Sequence, residues 1–97
     1  MEELIEKIRQ WAIERELHKQ SPKDQMCKLT EEVGELAKAI NKHSDFGIVD
    51  GIGDVTVVLI VLCEQMHLDF KFCLKWAYNE IKERQGKIID GTFVKNE

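Results

Sequence analysis

The stretch MCKLTEEVGELAKAI, residues 26–40, is the part of the sequence that decides the fold. Its apolar residues are spaced by alternating steps of three and four, which places their side chains on one face of an α-helix. They are Met26, Leu29, Val33, Leu36 and Ile40. The pattern predicts a packed helix over about residues 23 to 43.

The flanking sequence predicts a helix near each end of the chain. The first covers about residues 2 to 18 and ends before Ser21-Pro22, because proline favours the first turn of the next helix. The other covers about residues 70 to 86, with Asp69 as its N-cap and Gly86 as its stop signal.

A third helix, in chain order, is predicted over about residues 48 to 67. Its run Val55–Leu62 is β-branched and continuous, a composition that also suits a buried strand, but the length of the segment favours a helix. A helix that is apolar all round must be surrounded by protein, and one 97-residue chain offers few helices to surround it. We therefore expect a homodimer or homotetramer.

The tail, residues 87–97, contains Asp90-Gly91 between apolar pairs, which is the local signature of a two-residue hairpin turn. It predicts a short extended arm or a hairpin. The expected fold is therefore all-α: a single four-helix domain over residues 1–97, which assembles into a helical bundle through a homo-oligomer.

Composition disfavours binding of nucleic-acid duplexes and of membranes. The chain has 14 basic and 18 acidic residues and a net charge of −4, so it lacks the positive charge with which proteins bind DNA or RNA duplexes. Charges interrupt the N-terminal residues, and the longest uncharged run, Val55–Cys63, is shorter than the roughly 20 residues that span a bilayer. We expect a cytoplasmic protein that does not bind membranes, with Cys27, Cys63 and Cys73 as free thiols.

Two acidic clusters are the candidate chemistry. Glu32 lies at the edge of the apolar stripe of residues 26–40, Glu35 lies one step further round, and Glu31 points further out. Asp50 and Asp54 are four residues apart and therefore share a helix face. These acids suit a hard divalent cation, which prefers oxygen ligands. The alternative is a solvated acidic face, with Asp50 as a helix cap.

The segment Lys28–Ala37, followed by Gly53-Asp54-Val55 ahead of an apolar run, resembles the MazG-like all-α nucleoside triphosphate pyrophosphohydrolases. The tail Asp90–Lys95 resembles the ending of the short, phage-type members of this family. The family pattern is EExxE on one helix and ExxD on the next. The first motif is complete here. In the second, Asp54 matches the aspartate, but Gly51 occupies the position of the glutamate, and Asp50 is the nearest acid.

The resemblance implies hydrolysis of a nucleoside or deoxynucleoside triphosphate to monophosphate and pyrophosphate, with Mg²⁺, or Mn²⁺ in its place, as cofactor. It assigns the catalytic residues to the first motif and the metal ligands to both, while Glu31 is either a ligand or the general base. The catalytic set is Glu31, Glu32 and Glu35, and the metal set is Glu32, Glu35, Asp50 and Asp54.

Two further sets of residues are assigned to substrate. The family often has the pattern K-x3-N-x2-K in its last helix, which falls here on Lys75, Asn79 and Lys82 and implies binding of phosphates. Base recognition needs an aromatic surface and nearby polar groups, for which Trp11, His18 and Gln25 are candidates. The alternatives are a solvated face for the first set and core packing for Trp11.

Two other functions remain open at this stage. Glu64 and His67 form a Glu-x-x-His element, and two copies in a dimer would supply the ligands of a di-iron carboxylate bundle. The other alternative is a non-catalytic helical dimer that binds a nucleotide or a protein through the same surface and has lost activity through Gly51.

Overall fold

Residues 1–96, which the computed structural model describes, form four α-helices followed by a β-hairpin. In chain order these elements are α1 Glu2–Glu14, α2 Pro22–Asn41, α3 Asp45–Gln65, α4 Phe70–Ile81, β1 Gly86–Ile89 and β2 Thr92–Lys95. A single 3₁₀ turn, Leu17–Lys19, lies between α1 and α2. The four-helix fold and the C-terminal hairpin are confirmed; residue 97 of the tail lies outside the described residues.

The main packing unit is the pair α2 and α3, which a short connection joins into a helical hairpin. α3 contacts α2 along much of its length and packs against α1 and the 3₁₀ turn with the rest of its surface. The Ser44 hydroxyl caps α3 by accepting a hydrogen bond from the Gly47 N–H at 3.1 Å. This cap starts α3 at Asp45, earlier than the predicted residue 48.

Three helices end earlier than predicted, because the chain then turns through left-handed conformations that the sequence does not indicate. α1 stops at Glu14, not at about residue 18, since Glu16 has a φ of 59°. His43 and His67 have φ values of 55° and 57° and follow the ends of α2 and α3. Beyond His67, the Leu68 N–H donates to the Cys63 carbonyl at 2.8 Å, which satisfies a carbonyl at the end of α3.

The predicted end of α4 near residue 86 is also wrong. The helix ends at Ile81, because the hairpin needs extended backbone before Gly86: the Asn96 N–H donates to the Gln85 carbonyl at 2.7 Å. Gly86 belongs to β1 and pairs with Lys95, and a Cβ there would lie 2.2 Å from the Val94 carbonyl oxygen. The predicted N-cap is present, since Asp69 accepts from the Lys71 N–H at 3.0 Å.

The hairpin turn is the one that the Asp-Gly pair predicts. Asp90 and Gly91 have φ values of 51° and 79°, and the strands pair from Ile89 with Thr92 outwards. Positive φ at both central residues gives a turn whose twist matches that of the strands. All eight strand residues are exposed, so neither face of the hairpin is covered within one chain.

The core of one chain is small. Within residues 1–96, the buried apolar side chains come from α1 and α3, namely Ile5, Ala12, Val58, Ile60 and Val61. The accessible surface is 7858 Å², against about 5,700 Å² for a compact chain of this mass. The radius of gyration is 15.8 Å, against about 12.5 Å expected. A single chain therefore leaves much apolar surface uncovered.

α3 is the most apolar helix, and three of its large apolar residues, Phe46, Val49 and Ile52, are exposed. It is 21 residues long, and its most apolar 18-residue window has a mean hydropathy of 2.1, so that by length and composition alone it passes as a membrane span. Only 22% of that window is buried within the chain. Core helices of soluble assemblies have the same composition, and the exposed apolar residues flank a charged cleft described below.

Candidate active site

A cleft of about 270 Å³ lies between the C-terminal half of α2 and the N-terminal half of α3. Its lining contains acids, two lysines and several small residues: Glu32, Glu35, Lys38, Ala39, Lys42, Ser44, Gly47, Asp50, Gly51 and Asp54. The helical hairpin brings the two predicted acidic clusters together, because α2 and α3 run antiparallel from the short connection at residues 42–44.

Four of the predicted acids line this cleft, and Glu31 does not. Glu32 and Asp54 are half-buried, whereas Glu35 and Asp50 are exposed at its mouth. Glu31 is exposed outside the lining, as its position on the helix predicted. The arrangement concentrates negative charge where α2 and α3 meet.

The charges at this place act on one another. Desolvation raises the pKa of Asp54 above its usual value, and the neighbouring carboxylates of Asp50 and Glu32 raise it further. Lys28 opposes this rise and forms an ion pair with Glu32, with 3.5 Å between Nζ and Oε1. Repulsion of this kind is what a bound cation relieves.

Gly51 is where the chain departs from the family motif, and the structure gives a steric reason. Gly51 is buried against α2, and a Cβ there would lie 3.0 Å from Leu36 Cδ1, 3.2 Å from its Cβ and 3.3 Å from its Cα. Leu36 would have to shift by a few tenths of an ångström to admit a Cβ at this position. Asp50, the preceding residue, lines the cleft instead.

Two lysines of the cleft were missed by the sequence reasoning. Lys38 and Lys42 lie on the same face of α2 as Glu35, at spacings of three and seven residues, and line the end of the cleft towards Ser44. The signal was present in that spacing. The cleft is thus acidic at one end and basic at the other.

The donor chemistry of the cleft fits Mg²⁺. Among residues 1–96, no three side chains of His, Cys, Asp or Glu converge closely enough to hold a metal ion on their own. Mg²⁺ needs no such cage, because it keeps several waters and is held by one or two carboxylates together with substrate phosphates. The lining acids Glu32, Glu35, Asp50 and Asp54 present oxygen atoms to one space, which suits that mode of binding.

The predicted phosphate-binding set of α4 is not part of this cleft. Lys75, Asn79 and Lys82 are exposed, and none of them lines the space between α2 and α3. α4 leaves the opposite end of α3 and contacts that helix only sparsely. Within one chain, therefore, the structure does not bring these residues to the acids.

The three candidates for base recognition also lie away from the acids. Trp11 is 43% exposed and carries the Arg15 guanidinium over its ring, 4.7 Å from the centroid. The Gln25 amide donates to the Val58 carbonyl at 3.1 Å, so it joins α2 to α3. His18 is half-buried in the 3₁₀ turn, and its Nδ1 is buried without a partner.

Glu64 and His67, the residues of the di-iron alternative, are engaged in other contacts. The Glu64 carboxylate accepts hydrogen bonds from the Arg9 guanidinium, which ties the end of α3 to α1. His67 lies past the end of α3, beside Arg9 and Lys71 in a shallow depression. Neighbouring cations disfavour a metal there.

Comparison with known proteins decides the family. The model of the MazG nucleotide pyrophosphohydrolase domain matches residues 20–88 of the chain. The chain belongs to the MazG family. The matched region of this MazG chain contains the whole acidic cleft and α4, whereas Trp11 and His18 precede it.

One curated relative of this MazG chain is an uncharacterized 18.2 kDa protein of the rep–hol intergenic region of Haemophilus phage HP1 (strain HP1c1). The two are 43% identical over 70 residues, which are 71% of this chain and 43% of the relative. The chain thus spans less than half the length of that relative. No solved structure matches it.

Proposed function

We propose that this MazG chain hydrolyses a nucleoside or deoxynucleoside triphosphate to monophosphate and pyrophosphate in the cleft between α2 and α3. One observation supports this most strongly: the cleft joins four carboxylates to two lysines in a single space. Carboxylates that hold Mg²⁺, beside cations that bind phosphate oxygens, are what hydrolysis of a triphosphate requires. Family membership supports the same activity.

In the proposed mechanism the acids Glu32, Glu35, Asp50 and Asp54 hold Mg²⁺ at one end of the cleft. When bound, Mg²⁺ neutralises charge on the phosphate oxygens and lowers the pKa of a coordinated water. Glu31 or one of the four lining acids accepts the proton of the attacking water. The cytoplasm is the proposed compartment, with neither nucleic-acid duplex nor membrane as partner.

Lys38 and Lys42 complete the proposal. They lie in the same cleft as the acids, beyond Glu35, where they would hold the β- and γ-phosphates that leave as pyrophosphate. In the bound substrate, the reacting α-phosphate would then lie between the basic and the acidic ends of the cleft.

The proposed oligomer follows from the surface of one chain. The excess of about 2,000 Å² over a compact chain equals the area that one subunit contributes to a large obligate interface. Phe46 and Val49, in the first turns of α3, are 81% and 71% exposed beside the cleft. We assign this face to contact with a second copy. Lys75, Asn79 and Lys82 would then reach the acids from α4 of that copy.

The test is to incubate the purified protein with a panel of nucleoside and deoxynucleoside triphosphates, with Mg²⁺ and with EDTA, and to identify the products. We expect monophosphate and pyrophosphate with Mg²⁺ or Mn²⁺ and no turnover with EDTA. Diphosphate and phosphate as products would contradict the site of cleavage. Binding of nucleotides without any turnover would favour the non-catalytic alternative.

A pair of variants locates the activity. Glu35→Gln removes one charge from the cleft and keeps the shape of the side chain, so turnover should fall by at least about 100-fold while the circular dichroism spectrum stays helical. Glu14→Gln is the control, because Glu14 is 73% exposed on α1. An active Glu35→Gln enzyme would place the site elsewhere.

A further inference from the structure

Two thiols that are ten residues apart meet where α3 ends and α4 begins. Cys63 is half-buried in the last turns of α3, and Cys73 is exposed in the first turns of α4. Both line an apolar groove of about 680 Å³ between α2, α3 and α4, so the two thiols border one space at the junction of α3 and α4. The groove is separate from the acidic cleft and shares no residue with it.

The backbone between the two cysteines is fixed at both sides. At the end of α3 the Cys63 carbonyl itself accepts the hydrogen bond from the Leu68 N–H, at 2.8 Å. At the start of α4 the Asp69 carboxylate accepts from the Lys71 N–H, and its carbonyl accepts from the Cys73 N–H at 3.1 Å. The capped helix ends therefore hold the two thiols beside one another.

The two thiols differ in reactivity. Burial raises the pKa of Cys63 to about 11, with further contributions from Cys73 and from the acids Glu64 and Asp69. The thiolate is the reactive form of cysteine, so Cys63 is protected at neutral pH. Cys73 is exposed and is thus the thiol that a reagent in solution meets first.

We propose that Cys63 and Cys73 are a redox-sensitive dithiol that closes to an intramolecular disulfide by exchange with an oxidised low-molecular-weight disulfide. The Cys73 thiolate attacks one sulfur of the reagent, which forms a mixed disulfide and releases one thiolate. Cys63 then loses its proton and attacks Cys73 Sγ, which releases the second thiolate. The two electrons from the protein reduce one disulfide to two small thiols.

Closure fixes α4 to α3, two helices that otherwise share few contacts. In a reducing compartment such a bond forms transiently, under oxidising conditions, and not as a permanent staple. The inference concerns this helix junction and is independent of triphosphate hydrolysis.

The experiment treats the reduced full-length protein with glutathione disulfide and measures its intact mass and its alkylation by iodoacetamide. Cys27 is exposed and can itself form a glutathione adduct, so Cys27→Ser is the background for the test. In this variant we expect a mass lower by two hydrogens and no cysteine left to alkylate. Cys27→Ser/Cys63→Ser should stop at a glutathione adduct on Cys73, and Cys27→Ser/Cys73→Ser should remain largely unmodified at Cys63.

Two outcomes would overturn the proposal. They are alkylation of both Cys63 and Cys73 after treatment of Cys27→Ser, and a persistent glutathione adduct on Cys73 in that variant. Hydrogen exchange gives a second readout: the amides of α4 should exchange more slowly after closure and regain their rates on addition of a reductant. Unchanged exchange in a protein shown by mass to be closed would refute the fixing of α4.

Discussion

At the scale of single residues, the acids of the cleft owe their arrangement to two helices and not to one motif. Glu32 and Glu35 come from α2, and Asp50 and Asp54 come from α3. Desolvation, Asp50 and Glu32 raise the pKa of Asp54, so an acid of α2 acts on an acid of α3 across the helical hairpin. A complete EExxE motif alone would provide only half of the lining acids.

The two lysines of the cleft are predicted to contribute to turnover of the triphosphate. Replacing both residues, as Lys38→Gln/Lys42→Gln, should lower kcat/KM for a triphosphate by about tenfold or more, because charged hydrogen bonds to phosphate are lost. Steady-state kinetics with the preferred triphosphate measures the effect. Lys19→Gln is the control, since Lys19 lies in the 3₁₀ turn and is paired with Glu16. Equal kcat/KM in both variants would remove the lysines from the site.

At the scale of elements, α2 and α3 approach closely where Gly51 faces Leu36. Gly51→Ala places a methyl group 3.0 to 3.3 Å from the side chain and Cα of Leu36. The helices must then separate, so the free energy of unfolding should fall by about 1 to 2 kcal/mol, although alanine is the better helix former. Urea unfolding at one protein concentration measures the change.

Gly53→Ala is the matched control for this prediction. Gly53 is two residues further along the same helix, and a Cβ there meets nothing within 4 Å. The gain in helix propensity should therefore stabilise this variant by up to about 1 kcal/mol. A Gly51→Ala protein as stable as Gly53→Ala would show that the contact with Leu36 does not require glycine.

At the scale of the whole molecule, the exposed apolar surface predicts association. The protein should sediment as a dimer or tetramer at micromolar concentration, because one chain leaves large apolar residues of α3, α4 and the hairpin exposed. Val49→Glu should weaken association at least about tenfold, since a charge would be buried in the interface. Sedimentation velocity measures both results. Lys19→Glu, an exposed charge reversal outside this face, is the control; monomers throughout would contradict the assignment.

The placement of α4 gives a second prediction at this scale. If the partner's α4 completes each cleft, then Glu35→Gln and Lys75→Gln/Lys82→Gln are separately inactive but regain activity when the subunits are mixed. Each mixed dimer has one intact cleft of two, so the purified mixed dimer should show roughly half of the normal specific activity, and an unsorted random mixture roughly a quarter. Co-expression with two affinity tags provides the mixed dimer. An inactive mixture would exclude the partner's α4 from the cleft.

The sequence by itself determined the elements and the family. Helical periodicity and the Asp69 cap depend on neighbours within one turn, and Asp90-Gly91 fixes its own hairpin turn, so local chemistry suffices for them. The acids of the two motifs could be named because the sequence around them resembles the family, whereas their spacing alone also suits a solvated face. The ends of the helices could not, because Glu16, His43 and His67 adopt left-handed conformations for which their side chains give no signal.

Only the tertiary structure decided which side chains share a space. Lys38 and Lys42 line the cleft because that face of α2 meets α3, and Gln25 is used in packing because it reaches the backbone of α3. Steric contact with Leu36 explains glycine at position 51, and the turn between α3 and α4 brings Cys63 to Cys73. These are contacts between residues distant in sequence, and their geometry follows from helix packing, which periodicity does not specify.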